Sequence, residues 1–192
     1  MTAGACTRRL FVGIELDRTA RAGCVAAAEQ LRASGFAARY EESGKLHVTL
    51  AFLGNVAASE YDTIASALAG ATTLGAPFVL TLDKLGGFPH ERKPRVVYIG
   101  AREQGQAFRS LAQSVRGAYL ALGFAFREDA VAHVTIARVK ASTRALPPIE
   151  FAPIPLCVAS ISLFESIFDK AKNTSRYEIV NVEKLRDALS AD

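Results

Sequence analysis

His47-Val48-Thr49-Leu50-Ala51 returns as His133-Val134-Thr135-Ile136-Ala137, a five-residue stretch altered only by Ile for Leu. The chain has three histidines, and this repeat takes two of them. Successive side chains of a β-strand face opposite ways, so each copy sets its His and Thr on one face. Val48 and Leu50, or Val134 and Ile136, then point into a core. A lone strand histidine is ordinarily a satisfied structural residue, but packing gives no reason to repeat a His–Thr pair on two apolar strands. An imidazole changes charge near neutral pH, so of two rings across a cleft one accepts a proton while the other delivers one. Two threonine hydroxyls beside them suit the non-bridging oxygens of a phosphate, where negative charge gathers in the transition state. The chemistry expected is acid–base catalysis at phosphorus.

Other site chemistries fit less well. Metal ligation calls for further His, Cys or carboxylate ligands at short spacing, and none flanks either copy, so no metal or other cofactor is expected. A nucleophilic triad needs an activated Ser or Cys, and no nucleophile elbow is present.

The elements that must position the repeat can be read in order. A strand is expected over 9–16, then a helix over 18–34 capped by Asp17 and stopped by Gly35. The first HVT strand spans 46–53 and ends at Gly54. A capping box at 59–62 opens a helix to 71, and 78–85 alternates like a strand. The Gly- and Pro-rich stretch 86–95 reads as an irregular loop. A strand over 96–100, a helix over 104–122 stopped by Gly123, and the second HVT strand follow. A Pro-rich connection over 147–155 leads to a strand at 157–165, which pairs as a hairpin with 177–182; from Glu183 a short helix or a frayed tail is expected.

The order contains a duplication. Leu10 to His47 and Val96 to His133 are both 37 positions apart, and Gly35-Phe36-Ala37-Ala38-Arg39 echoes Gly123-Phe124-Ala125-Phe126-Arg127. The expected fold is α+β and bilobal, one domain of two β-α-β units, roughly 8–85 and 95–182. Antiparallel or mixed sheets would surround a central cleft where the histidines meet near a pseudo-twofold axis. No Gly-rich phosphate fingerprint follows the first strand, which sets aside a doubly wound dinucleotide fold.

A chain of 192 residues, half of them apolar, can bury a sizeable core. Its net charge of +4 permits an anionic ligand without by itself indicating nucleic acid. No apolar run is long enough to cross a bilayer, and residues 1–6 lack the charged and apolar regions of an export signal. Cys6, Cys24 and Cys157 have no metal-type spacing, and Cys24 and Cys157 read as small buried hydrophobes. A cytoplasmic location is expected.

Several stretches then converge on one family. They are Arg8-Arg9-Leu10-Phe11-Val12-Gly13-Ile14, Leu46-His47-Val48-Thr49-Leu50-Ala51-Phe52-Leu53-Gly54, Pro94-Arg95-Val96-Val97-Tyr98-Ile99-Gly100, His133-Val134-Thr135-Ile136-Ala137-Arg138 and Leu163-Phe164-Glu165-Ser166 with Tyr177. Together they span nearly the whole chain and resemble the two-histidine (2H) phosphoesterase superfamily. Within it they are most similar to the RNA 2′,3′-cyclic phosphodiesterases, historically called 2′-5′ RNA ligases.

The resemblance implies metal-free opening of a terminal RNA 2′,3′-cyclic phosphate to a 2′-phosphate, with reverse 2′-5′ ligation as an accompanying activity. It makes His47 the general acid toward the 3′-oxygen and His133 the general base for water. Thr49, Thr135 and Arg138 become phosphate ligands. Strict alternation would turn Arg138 away from His133, so that role requires the strand to end or bulge. Phe52, Arg95, His90 and Tyr40 are expected to contact substrate, Tyr40 by stacking on a base where the family commonly has Trp. Ala132 stands where the family often has Pro, and 169–173 replaces a Gly-Phe-containing loop. His90, Arg92, Lys93 and Arg95 on one loop, with Lys170, Lys172 and Arg176 on another, read either as an RNA-backbone track or as solvated charges. The expected partner is RNA with a terminal 2′,3′-cyclic phosphate, met by a monomer away from membranes. Two alternatives stay open: a phosphodiesterase for small cyclic nucleotides, and a non-catalytic nucleotide- or RNA-binding module.

Overall fold

Leu10, Val12 and Ile14 alternate along β1 (Thr7–Glu15) and are all but fully buried, which sets this strand in the middle of the sheet. The structure, a computed structural model, describes residues 7–71, 75–140, 144–171 and 173–186. After β1 come α1 (Arg18–Ala33), β2 (Arg39–Tyr40), β3 (His47–Ala57), α2 (Tyr61–Ala71), β4 (Phe78–Leu82), β5 (Lys84–Phe88) and β6 (Val96–Gly100). Then follow α3 (Gly105–Leu120), β7 (His133–Arg138), β8 (Ile154–Val158), β9 (Ser160–Asp169) and β10 (Thr174–Lys184). The main sheet is antiparallel in the order β10-β9-β1-β3-β7-β6-β5, with β2 also on β7, and β4 pairs with β8 in a separate ribbon. The fold is therefore mixed α+β with antiparallel sheets.

The two long helices follow from their sequences. The Asp17 carboxylate accepts the Ala20 N–H at 2.8 Å, closing the N-terminus of α1. Gly35 and Gly123, at φ 75° and 87°, supply the left-handed turns just beyond α1 and α3. Ala20, Cys24, Ala27 and Leu31 form one buried stripe; Phe108, Leu111, Val115 and Tyr119 form the other. These stripes meet β7 and β3 respectively, which leaves the opposite face of those strands open.

Several boundaries differ from the sequence reading, each for a local reason. β3 continues through Gly54 to Ala57, because a bulge at Leu53 beside Gly54 at φ 78° keeps the strand in register with β1. The strand expected over 78–85 is split at Asp83, whose N–H donates to Gly100 O and whose carboxylate accepts the Arg102 N–H. Part of the loop expected at 86–95 is regular strand. A Cβ on Gly86 would lie 2.3 Å from the Tyr98 ring, so glycine here lets that ring cross β5. Glu60 rather than Asp62 closes the turn before α2, its carboxylate accepting the Ala57 N–H at 3.2 Å. The single strand expected at 157–165 is two, β8 and β9, and β10 extends on both sides of 177–182. Residues 183–184 belong to β10, so no helix begins at Glu183. Cys24 is buried as expected, but alternation along β8 turns Cys157 outward. Cys6 and Lys172 lie outside the described residues. Among those described, no helix is long and apolar enough to cross a membrane.

Candidate active site

The two HVT strands share one irregularity. Gly13 pairs with Thr49 and Val12 with Ala51, leaving Leu50 unmatched; Tyr98 pairs with Thr135 and Val97 with Ala137, leaving Ile136 unmatched. From the histidine onward both strands run half-buried, buried, half-buried, buried, buried, exposed. One extra residue inverts the alternation beyond it. Phe52 and Arg138 therefore swing round to the face that carries His and Thr, and all six side chains line one recess of about 430 Å³. The bulge that Arg138 required is present. Both bulge carbonyls are satisfied from outside the pair: Arg116 Nε donates to Leu50 O at 2.9 Å, and the Glu41 N–H donates to Ile136 O at 2.8 Å.

The strands meet antiparallel at Val48 and Val134. That register sets His47 across from Thr135 and His133 across from Thr49. Lys45 O accepts from His47 Nδ1 at 2.7 Å, and Val131 O accepts from His133 Nδ1 at 2.8 Å. Each bond holds the proton on Nδ1 of the neutral ring and leaves Nε2 for chemistry. The Thr49 hydroxyl lies 3.1 Å from His47 Nε2. Aromatic rings brace both imidazoles: Phe11 and Tyr177 stand 4.8 and 5.2 Å from His47, and Phe88 and Tyr98 stand 5.2 and 5.3 Å from His133.

Burial among these rings lowers the pKa of both histidines from 6.5. The backbone carbonyls on Nδ1 pull the other way, and the Arg138 guanidinium adds to the lowering at both. His133 lowers His47 further, while Glu41 opposes.

Arg116 joins the two halves of the centre. Besides Leu50 O it donates to Glu128 O, and it lies 5.2 Å over the Phe126 ring, so it ties the loop leading to Val131 onto β3. Arg116→Met is expected to lower the unfolding free energy by about 2 kcal/mol, read by urea denaturation. It should also lower kcat more than it raises KM, because His133 and Thr49 lose their relative placement while Thr135 and Arg138 still face the phosphate.

The other expected contacts divide. Arg95 lines a neighbouring groove that shares His133, Thr135 and Arg138 with the recess. Tyr40 does not reach the cleft: alternation on β2 sends Arg39 there, while the Tyr40 hydroxyl donates to Phe36 O and its ring lies under Arg32. His90 also stays away, exposed, with Nδ1 accepting the Lys93 N–H at 3.1 Å. Arg176 pairs with Glu178. Arg92, Lys93 and Lys170 line none of the recess or its neighbouring groove. The sequence reading missed Arg9, Lys45 and Glu41. Arg9 lies 5.0 Å over the Phe52 ring. The Glu41 carboxylate accepts from Arg138 Nε at 2.7 Å and lies 3.8 Å from Arg39, with only 11% of its side chain exposed. Only the pairing of β2 with β7 brings Glu41 there, and nothing in its local sequence signals it.

Comparison with known proteins agrees with this geometry. A family described as LigT-like phosphoesterase matches residues 14–98, which contain the first HVT strand. An RNA 2′,3′-cyclic phosphodiesterase of Archaeoglobus fulgidus is 38% identical over 133 residues, covering 69% of this chain and 73% of the relative. The Escherichia coli enzyme of the same name is 32% identical over 174 residues, 88% of this chain and 92% of the relative, a span long enough to include both HVT strands. Among solved structures, E. coli LigT complexed with 3′-AMP superposes with a TM-score of 0.75 at 28% identity, over 95% of this chain and all of LigT. TT0787 of Thermus thermophilus superposes with a TM-score of 0.77 at 26% identity, over 93% and 98%. This chain belongs to the LigT-like two-histidine phosphoesterases, in the family of the RNA 2′,3′-cyclic phosphodiesterases.

Proposed function

We propose that the protein hydrolyses RNA 2′,3′-cyclic phosphate ends to 2′-phosphomonoesters, with His133 as general base and His47 as general acid. The observation that carries this reading is the pair of Nδ1-anchored imidazoles, each across from the other strand's threonine, with Arg138 on the same face. Water attacks phosphorus as His133 Nε2 takes its proton. The P–O3′ bond breaks and His47 Nε2 protonates the departing O3′, while Thr49, Thr135 and Arg138 hold the non-bridging oxygens. Each ring then exchanges one proton with solvent and the site is reset. The same reading takes the chain as one bilobal domain, halves 8–85 and 95–182. The adjacency of β3 and β7 at the centre of the sheet, each flanked by its own half's first strand, supports it.

The test is product analysis on an RNA oligonucleotide ending in a 2′,3′-cyclic phosphate, incubated in EDTA. A 2′-phosphate at undiminished rate is expected. A 3′-phosphate would mean that the other oxygen leaves, and no turnover would remove the hydrolase reading.

The pH dependence has a definite sign. The free enzyme needs neutral His133 and protonated His47. The two limbs of kcat/KM follow the two imidazoles, both lowered from 6.5, so the optimum falls on the acid side of neutrality. Bound phosphate is anionic and favours the imidazolium, so the basic limb of kcat should lie at higher pH than that of kcat/KM. Profiles taken at saturating and at low substrate check this, and a kcat/KM optimum above about pH 7 contradicts it.

A further inference from the structure

The recess at the histidines is not the only room beside them. A second groove of about 960 Å³ opens from the His133 side and shares Thr49, Phe52, His133, Thr135 and Arg138 with the recess. Phe88, Pro89 and Arg95 line it together with residues 125–131. The groove is the larger of the two and continuous with the recess through those five shared side chains, so a strand whose end lies in the recess can run on into it.

Its chemistry is that of a single-strand seat. Phe126 is half-buried against the core with Arg116 over its ring, while Phe52 is 49% exposed with Arg9 over one face, so Phe52 offers the freer ring surface to a base. Arg95, Arg116, Arg127 and Arg138 outnumber Glu128 and Asp129 along the lining. Among the described residues Arg95 and Arg127 enter no ion pair, and both are exposed. The Arg95 backbone is held at both ends, its N–H donating to Phe88 O at 2.7 Å and its carbonyl accepting the Val139 N–H at 2.9 Å. A fixed backbone under an unpaired guanidinium leaves that side chain to meet a phosphate from outside.

We propose that this groove is a second subsite, which takes the nucleotide immediately 5′ of the cyclic-phosphate end through its backbone phosphate and base. Arg95 and Arg127 meet the phosphate, and the exposed Phe52 ring supplies the stacking surface. The inference rests on the hydrolase reading above and adds that the enzyme selects an RNA strand over a free cyclic mononucleotide.

The experiment compares adenosine 2′,3′-cyclic monophosphate with a tetranucleotide carrying the same end, for the native protein and for the double variant Arg95→Ala/Arg127→Ala. Both side chains are exposed and unpaired, so circular dichroism and melting should match the native protein. The native enzyme is expected to favour the tetranucleotide at least tenfold in kcat/KM, through KM. In the double variant that ratio should collapse at least fivefold. The salt dependence of the tetranucleotide KM should lose a slope of about 0.7 for each phosphate contact removed. A native ratio near one overturns the subsite while leaving the hydrolase reading standing. So does a variant that loses the same factor on both substrates. No turnover of either substrate by the native protein overturns the hydrolase reading, and the subsite with it.

Discussion

His47→Ala and His133→Ala are each expected to lower kcat/KM on a 2′,3′-cyclic phosphate-ended RNA by about 10²–10⁴-fold. The two rings act in one proton relay, since removing the base strands the acid and removing the acid leaves an alkoxide to depart unaided. The double variant should therefore fall little below either single one. His47 packs against Phe11 and Tyr177, so alanine there also opens a gap among aromatic rings. His47→Gln, which fills more of that space, separates packing from chemistry: it should recover melting temperature and leave activity low. A phosphodiester with a nitrophenyl leaving group needs no proton on departure. On that substrate His47→Ala should regain much of the native rate and His133→Ala should not. Equal recovery by both would mean that the rings do not divide the work as acid and base.

What the sequence made legible was what local pattern controls. The HVT strands, the Asp17 cap and the glycine stops after α1 and α3 all depend on residues a few positions apart. The equal 37-residue spacing was a good guide to the duplication, although pairing matches Phe11, not Leu10, to Val96, one position off. Alternation alone failed at the strand ends, because the bulges at Leu50 and Ile136 are set by the partners β1 and β6 and by Arg116 and Glu41. Those donors come from 66 and 95 positions away in the chain, beyond what any periodicity reports. Tyr40 and His90 were placed by analogy and by composition. Their positions are decided instead by which face of a two-residue strand turns inward and by a hydrogen bond within one turn.

Arg138 and Glu41 should shift the pH profile in opposite directions. Arg138→Ala removes the cation facing the non-bridging oxygens, and an expected loss of about 10²–10³-fold in kcat/KM follows from deleting one such donor. It also removes the guanidinium that lowers both imidazoles, so both limbs of kcat/KM should move to higher pH. Glu41→Gln keeps an oxygen for Arg138 Nε and the N–H that holds the Ile136 bulge, while it discharges a carboxylate facing the phosphate site. Inorganic phosphate should then inhibit more tightly, by about tenfold on the scale of one screened charge pair. Glu41 raises the pKa of His47 and is not among the groups that shift His133. Its loss should therefore move only the limb that His47 controls, and move it to lower pH. Where His47 is the group of higher pKa, that is the basic limb, which narrows the bell from above. If the acid limb moves instead, His47 is the group of lower pKa, and if neither limb moves, Glu41 does not act on His47.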